Sequence, residues 1–208
     1  MEFFRRAPGT PRTLALFSGA FNPPTVAHIE LARLALGCVD EVLFILPRVF
    51  PHKTWEGAGF DLRLRWLEAA LGDQEGCSIA ATEHGLFLEI AQAARAAYGP
   101  DVRLSVLVGR DAAQRIVNWD YGCLPPFTGQ LEEFDLLVAS RGGDYVAPEL
   151  IRAKVRLLPL DPHFQEISSS DVRRRIQLGE PWRHLVPPAC VPLIEESLDV
   201  FTASTSSA

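Results

Sequence analysis

No apolar run in this 208-residue chain approaches the ~20 residues that a bilayer-spanning helix requires. The start, Met1-Glu2-Phe3-Phe4-Arg5-Arg6, carries two arginines without an apolar stretch behind them, so no secretory leader is expected. Cysteine is scarce, and Cys38, Cys77, Cys123 and Cys190 lie too far apart for a zinc pair or a disulfide framework. The expectation is four reduced, mostly buried thiols in a cytoplasmic protein. Positive charge is also short, with 20 Lys and Arg against 26 Asp and Glu and a net charge of -6. Nonspecific nucleic-acid binding and membrane-surface attachment draw on the opposite sign, so neither partner is expected. A small phosphate ligand needs only local positive groups and stays open.

What the chain does have is apolar material: 48% hydrophobic residues, including 12 Phe and 4 Trp. That is enough for a core and excludes a largely disordered chain. The length fits a single domain over residues 1–208, with the lead-in 1–11 and the small polar tail 202–208 expected to be flexible. Thr13–Phe17, Val42–Leu46, Ser78–Ala81, Val102–Val108, Phe134–Ala139 and Val155–Leu158 read as short buried strands. Between and after them, helices are expected over 61–71, 86–98, 111–117, 170–178 and 191–200, with another opened by Pro23-Pro24-Thr25 and closed at Gly37. Short strands alternating with helices imply an α/β fold, a doubly wound, mostly parallel sheet covered on both faces and followed by C-terminal helices.

Two segments carry chemistry. Ser18-Gly-Ala-Phe-Asn-Pro-Pro-Thr-Val-Ala-His28 runs from the first of these strands straight into a helix, where doubly wound sheets bind ligands. Gly19 lets the backbone turn, and a helix start offers unpaired N–H groups to a phosphate. Thr25 and His28 are three apart and share a helix face. An isolated Thr-x-x-His is more often a cap and a surface residue, but the strand–Gly–Phe–Asn–Pro–helix context reverses that. The second segment, Ile167-Ser168-Ser169-Ser170-Asp-Val-Arg173, enters a late helix. Its serines could simply cap, with Ser170 or Ser169 as N-cap, or they could donate to phosphate oxygens beside a bidentate Arg173.

Together, Gly-x-Phe-Asn-Pro-Pro-Thr-x-x-His and Ile-Ser-Ser-Ser-x-x-Arg resemble the nucleotidylyltransferase superfamily, and within it the nicotinate/nicotinamide mononucleotide adenylyltransferases. The likeness extends from about Thr13 to Ser197, through Pro51-His-Lys53, Arg63, Val108-Gly-Arg-Asp111, Trp119 and Leu185-Val-Pro187. It implies transfer of AMP from ATP to a pyridine mononucleotide in NAD biosynthesis, with release of pyrophosphate. By the same resemblance His28, Thr25 and Arg173 are the catalytic candidates. Ser18, Gly19, Ala20, Phe21, Gly109, Asp111, Ile167, Ser168, Ser169 and Ser170 join them around ATP, and Asn22, Lys53 and Trp119 touch the acceptor. Mg2+ would arrive with ATP rather than occupy a protein site. His52, His84, His163 and His184 show no metal-ligand spacing, and assembly into a homo-oligomer is left open.

Two departures separate this chain from that pattern. Ala27 stands where Gly commonly precedes the motif histidine, and Thr82-Glu-His-Gly-Leu-Phe-Leu88 lacks a Tyr-Thr pair that helps to hold the pyridine carboxylate. The alternatives are therefore a different phosphorylated acceptor, such as phosphopantetheine or flavin mononucleotide, and a nucleotide-binding module without turnover. A tRNA-charging enzyme is disfavoured in a short, acidic chain without room for an RNA-binding domain.

Overall fold

The computed structural model describes residues 1–50, 55, 57–119, 121–122, 124–139 and 145–202. Strand β1 (Glu2–Arg5) precedes β2 (Thr13–Ser18), α1 (Val26–Leu36), β3 (Glu41–Pro47) and α2 (Phe60–Leu71). Next come β4 (Cys77–Thr82), α3 (Phe87–Tyr98), β5 (Arg103–Gly109), α4 (Arg110–Val117), α5 (Phe127–Gln130), β6 (Asp135–Ala139) and β7 (Val155–Leu158). The chain closes with α6 (Pro162–Gln165), α7 (Ser169–Leu178), α8 (Val191–Glu195) and α9 (Asp199–Thr202). None of the described helices is long and apolar enough to cross a membrane.

Among the described residues the strands form one sheet in the order β1-β4-β3-β2-β5-β6-β7. All neighbours are parallel except β1, which runs antiparallel to β4. From β2 the chain winds outward to β4, then returns to lay β5 against the other side of β2. That reversal leaves a crevice beyond the carboxyl ends of β2 and β5, at Ser18 and Gly109.

Strand alternation supplies both layers of core. Leu14, Leu16, Leu43 and Ile45 point to one face and pack with Ile90 and Ala94 of α3 and Ala113 of α4. Ala15, Phe17, Val42 and Phe44 point to the other, against Leu31 and Ala35 of α1 and Leu67 of α2. A third cluster joins Ala27 and Trp66 to Ile167, Val172, Trp182 and Ile194, fastening the C-terminal helices beside α1 and α2.

Several boundaries differ from the sequence reading. The lead-in is not wholly loose: residues 2–5 pair with β4, and beyond them the Ala7 N–H donates to Ser78 Oγ at 2.8 Å. Pro23 and Pro24 precede the α1 N-cap, Thr25, rather than occupying its first turn. The cap of α7 is Ser168, whose hydroxyl accepts from the Asp171 N–H, not Ser169 or Ser170. The expected helix over 191–200 is broken in two, where Ser197 Oγ donates back to the Leu193 carbonyl at 2.8 Å. Residues 203–208 of the tail lie outside the described residues.

Candidate functional site

The β2–α1 loop is held from below. The Gly19 N–H donates to the Ile45 carbonyl at 3.1 Å, which ties the loop to β3. Phe21 adopts a positive φ of 46°, unusual for a bulky residue, and is only 2% exposed. Its ring packs edge-on against Phe17 at 5.4 Å and His28 at 5.2 Å. A Cβ on Gly19 would stand 3.1 Å from that ring, so any larger residue would displace it. The aromatic packing thus holds an otherwise strained turn.

Two groups of one residue, Thr25, orient the histidine. His28 is the third residue of α1, and its Nδ1 accepts the Thr25 backbone N–H at 2.9 Å. The Thr25 hydroxyl lies 2.8 Å from the same nitrogen. A backbone N–H can only donate, so Nδ1 is the acceptor and the neutral ring carries its proton on Nε2. Thr25 itself is fully buried, with its hydroxyl turned to the imidazole.

The serine segment reaches the same loop from the far end of the chain. Ser169 Oγ donates to the Pro23 carbonyl at 2.7 Å, and Arg173 Nη1 donates to the Asn22 carbonyl at 2.7 Å. Arg173 Nη2 donates to Ser170 Oγ at 3.1 Å. Burial lowers the Arg173 pKa from its ordinary value, so extra negative charge nearby would be welcome. Arg174 and Arg175 turn instead to Asp171, each at 2.8 Å, and those bonds, the Arg174 one first, hold its carboxyl below the usual range. Of three consecutive arginines, one faces the loop.

Two cavities flank this seam. A small one of about 80 Å³ lies between the starts of α1 and α7, bordered by Thr25, Ala27, His28, Gly109, Ile167, Ser168 and Ser169. The Ala27 methyl also packs into the third apolar cluster. The larger cavity, about 200 Å³, opens over the carboxyl ends of the strands. Ser18, Gly19 and Ala20 border one side, Leu86 and Phe87 another, and Arg115, Ile116, Trp119 and Tyr121 a third. Trp119 is 41% exposed, which removes it from the core, and it borders the cavity.

The remaining expected residues are more scattered. Gly109 is the N-cap of α4, and Asp111 sits exposed in its first turn, 3.4 Å from Arg110. Asn22 is 3% exposed and, among the described residues, absent from the wall of the larger cavity. Its structural use is the carbonyl that receives Arg173. Lys53 lies outside the described residues.

Arg63 emerges with a part its sequence context did not reveal. It is 2% exposed and donates to the Ala20 carbonyl at 3.2 Å and the Pro47 carbonyl at 3.4 Å. Its guanidinium also lies 4.9 Å from the Trp55 ring centroid, and burial pulls its pKa down to about 10. It links two edges of the larger cavity. No local sequence signal announces such a long-range tie.

A family model described as cytidylyltransferase-like matches residues 16–175, a span that includes both segments. The chain belongs to the cytidylyltransferase-like family. This cytidylyltransferase-like chain is 31% identical over 199 residues to a Shouchella clausii protein named "Probable nicotinate-nucleotide adenylyltransferase", covering 89% of this chain and 95% of that one. A Treponema pallidum protein of the same name is 30% identical over 192 residues, with 84% and 92% covered. The solved structure of Plasmodium falciparum nicotinic acid mononucleotide adenylyltransferase complexed with NaAD matches with a TM-score of 0.70. It covers 91% of this chain and 98% of that chain at 17% identity, a likeness of fold.

Proposed function

We propose that this protein transfers the adenylyl group of ATP to the phosphate of nicotinate mononucleotide. A terminal oxygen of the acceptor phosphate attacks the α-phosphorus, a new P–O–P bond forms, and the bond from the α-phosphorus to the bridging oxygen breaks. Its electron pair leaves with pyrophosphate. The acceptor phosphate is already largely ionised near neutral pH, since its second pKa is about 6, so no general base is required. The work of the site is alignment and the meeting of negative charge by fixed donors.

The observation that carries this reading is the convergence of two helix starts and His28 on one seam beside an aromatic-walled cavity. His28 Nε2–H donates to the α-phosphate or its bridging oxygen, and Thr25 fixes the ring's tautomer and direction. The first-turn N–H groups of α7, with Arg173, hold the β- and γ-phosphates. Gly109 and Asp111 sit by the adenosine ribose, and Trp119 stacks on the pyridine ring. Magnesium enters as part of the ATP substrate, carried by phosphate oxygens and water. The names of the bacterial relatives support nicotinate as the acceptor's ring.

The test is pyrophosphate release from ATP and magnesium with four acceptors in parallel: nicotinate mononucleotide, nicotinamide mononucleotide, phosphopantetheine and flavin mononucleotide. Fastest turnover with nicotinate mononucleotide is expected. Turnover only with a non-pyridine acceptor overturns the substrate. Tight ATP binding without turnover on any of the four would make the chain a binding module.

A further inference from the structure

We propose that Arg115 reads the carboxylate of the acceptor's ring and so sets the preference for an acidic pyridine over its amide. The assignment rests on the reading under Proposed function. Among the described residues bordering the larger cavity, Arg115 is the only charged one. Its neighbours on that wall are Ile116 and Trp119, and Leu86 and Phe87 face in from the start of α3. The Tyr121 hydroxyl is already engaged, donating to the Ile116 carbonyl at 3.0 Å. Among the described side chains of this wall, an anionic substituent therefore meets only the Arg115 guanidinium and the Ser18 hydroxyl.

Arg115 is held ready for that task. It lies in the last turn of α4, and its side chain makes no hydrogen bond or ion pair among the described residues. A cation there also complements the carboxyl end of the helix dipole, which would account for its charge without a ligand. That bland role does not require the side chain to border a cavity. A guanidinium offers paired N–H donors that match a carboxylate's two oxygens, whereas a carboxamide presents one oxygen and one NH2. The same cation therefore favours the acid and is poorly matched to the amide. Where the related pattern places a Tyr-Thr pair, this chain has Leu86 and Phe87 on the cavity wall, so recognition has moved across the cavity to α4.

The experiment compares kcat/KM for nicotinate mononucleotide and nicotinamide mononucleotide in the wild type, Arg115→Gln and Arg115→Lys, with saturating ATP. In Arg115→Gln the ratio of acid to amide falls by about 10- to 100-fold, mainly through KM for the acid. Arg115→Lys keeps part of the preference, and KM for ATP and the melting temperature stay put in both variants. Equal losses on both acceptors would place Arg115 on their shared phosphate or in the fold, and overturn the assignment. An unchanged ratio overturns it as well. A wild type that turns over neither pyridine nucleotide brings down the substrate reading itself, an outcome separable from failure of the variant alone.

Discussion

Thr25 and His28 are bound to each other through one ring nitrogen: the Thr25 N–H meets His28 Nδ1 at 2.9 Å, with the Thr25 hydroxyl 2.8 Å from the same atom. Glu or Gln ordinarily makes this backward reach at the third position of a helix. Here an imidazole makes it, and the second ring nitrogen remains a donor. The two roles of His28 can be separated. His28→Ala should cut kcat by about 100- to 1,000-fold and destabilise the fold by about 0.5–2 kcal/mol. His28→Glu should regain the melting temperature, because a carboxylate caps equally well, but not the rate. Recovery of both would remove the imidazole from the chemistry.

Trp119 separates ligand contact from packing. At 41% exposure it contributes little to the core, so Trp119→Ala should leave the melting temperature within about 2 °C of the wild type. KM for the acceptor should rise about 10-fold, as expected for a lost stacking surface, with KM for ATP unmoved. Calorimetry beside steady-state kinetics decides the matter; a large drop in stability would return this ring to the core.

Arg173 is expected to behave as more than a charge. Its two donors hold the Asn22 carbonyl and Ser170 Oγ. Arg173→Lys preserves the charge but not the fork, so KM for ATP should still rise by about 10-fold. Arg173→Ala should also lower stability by about 1–3 kcal/mol, read from urea melts, because the carbonyl of the buried Asn22 loses its donor.

Stability should decline in alkali. Burial raises the Cys190 thiol from 9.0 to about 12 and Cys77 to about 11, and raises Tyr121 from 10.0 to about 12. In each case the unfolded group gives up its proton first. Between pH 9 and 12 these three groups thus bind fewer protons in the unfolded chain than in the folded one; Arg63, lowered to about 10, works the other way above that pH, but the three outnumber it and the fold loses stability as pH rises. Thermal melts across that range should show a falling Tm. Cys190→Ala should start lower, having lost its packing, and decline less steeply.

The strand–helix alternation was legible because the buried strands are short apolar runs, several of them ended by Gly or Pro, as at Ser18-Gly19 and Val42–Pro47. Strand β1 escaped because Glu2-Phe3-Phe4-Arg5 is four residues long and finds its partner in β4, some seventy-five residues on. The break after Glu195 escaped too, since it depends on Ser197 bonding back to the preceding turn. The two segments of the site could be read because each is contiguous and begins a helix. Arg63 and Arg115 could not, because what matters in them is which carbonyl or cavity the tertiary packing brings near. The serines illustrate the same limit: their helix start was legible, but the bond from Ser169 to Pro23 was not.

The bond between Ser169 and Pro23 spans 146 positions of sequence, and this has a consequence for biosynthesis. At about 5–20 residues per second, a ribosome takes roughly 7–30 s to deliver Ser169 after Pro23 has been made. Throughout that interval the nascent chain can pair β2 with β3 and cover them with α1, yet the Asn22 and Pro23 carbonyls wait for the donors that Arg173 and Ser169 bring. A polypeptide released before α7 would carry all seven described strands and an open seam beside α1.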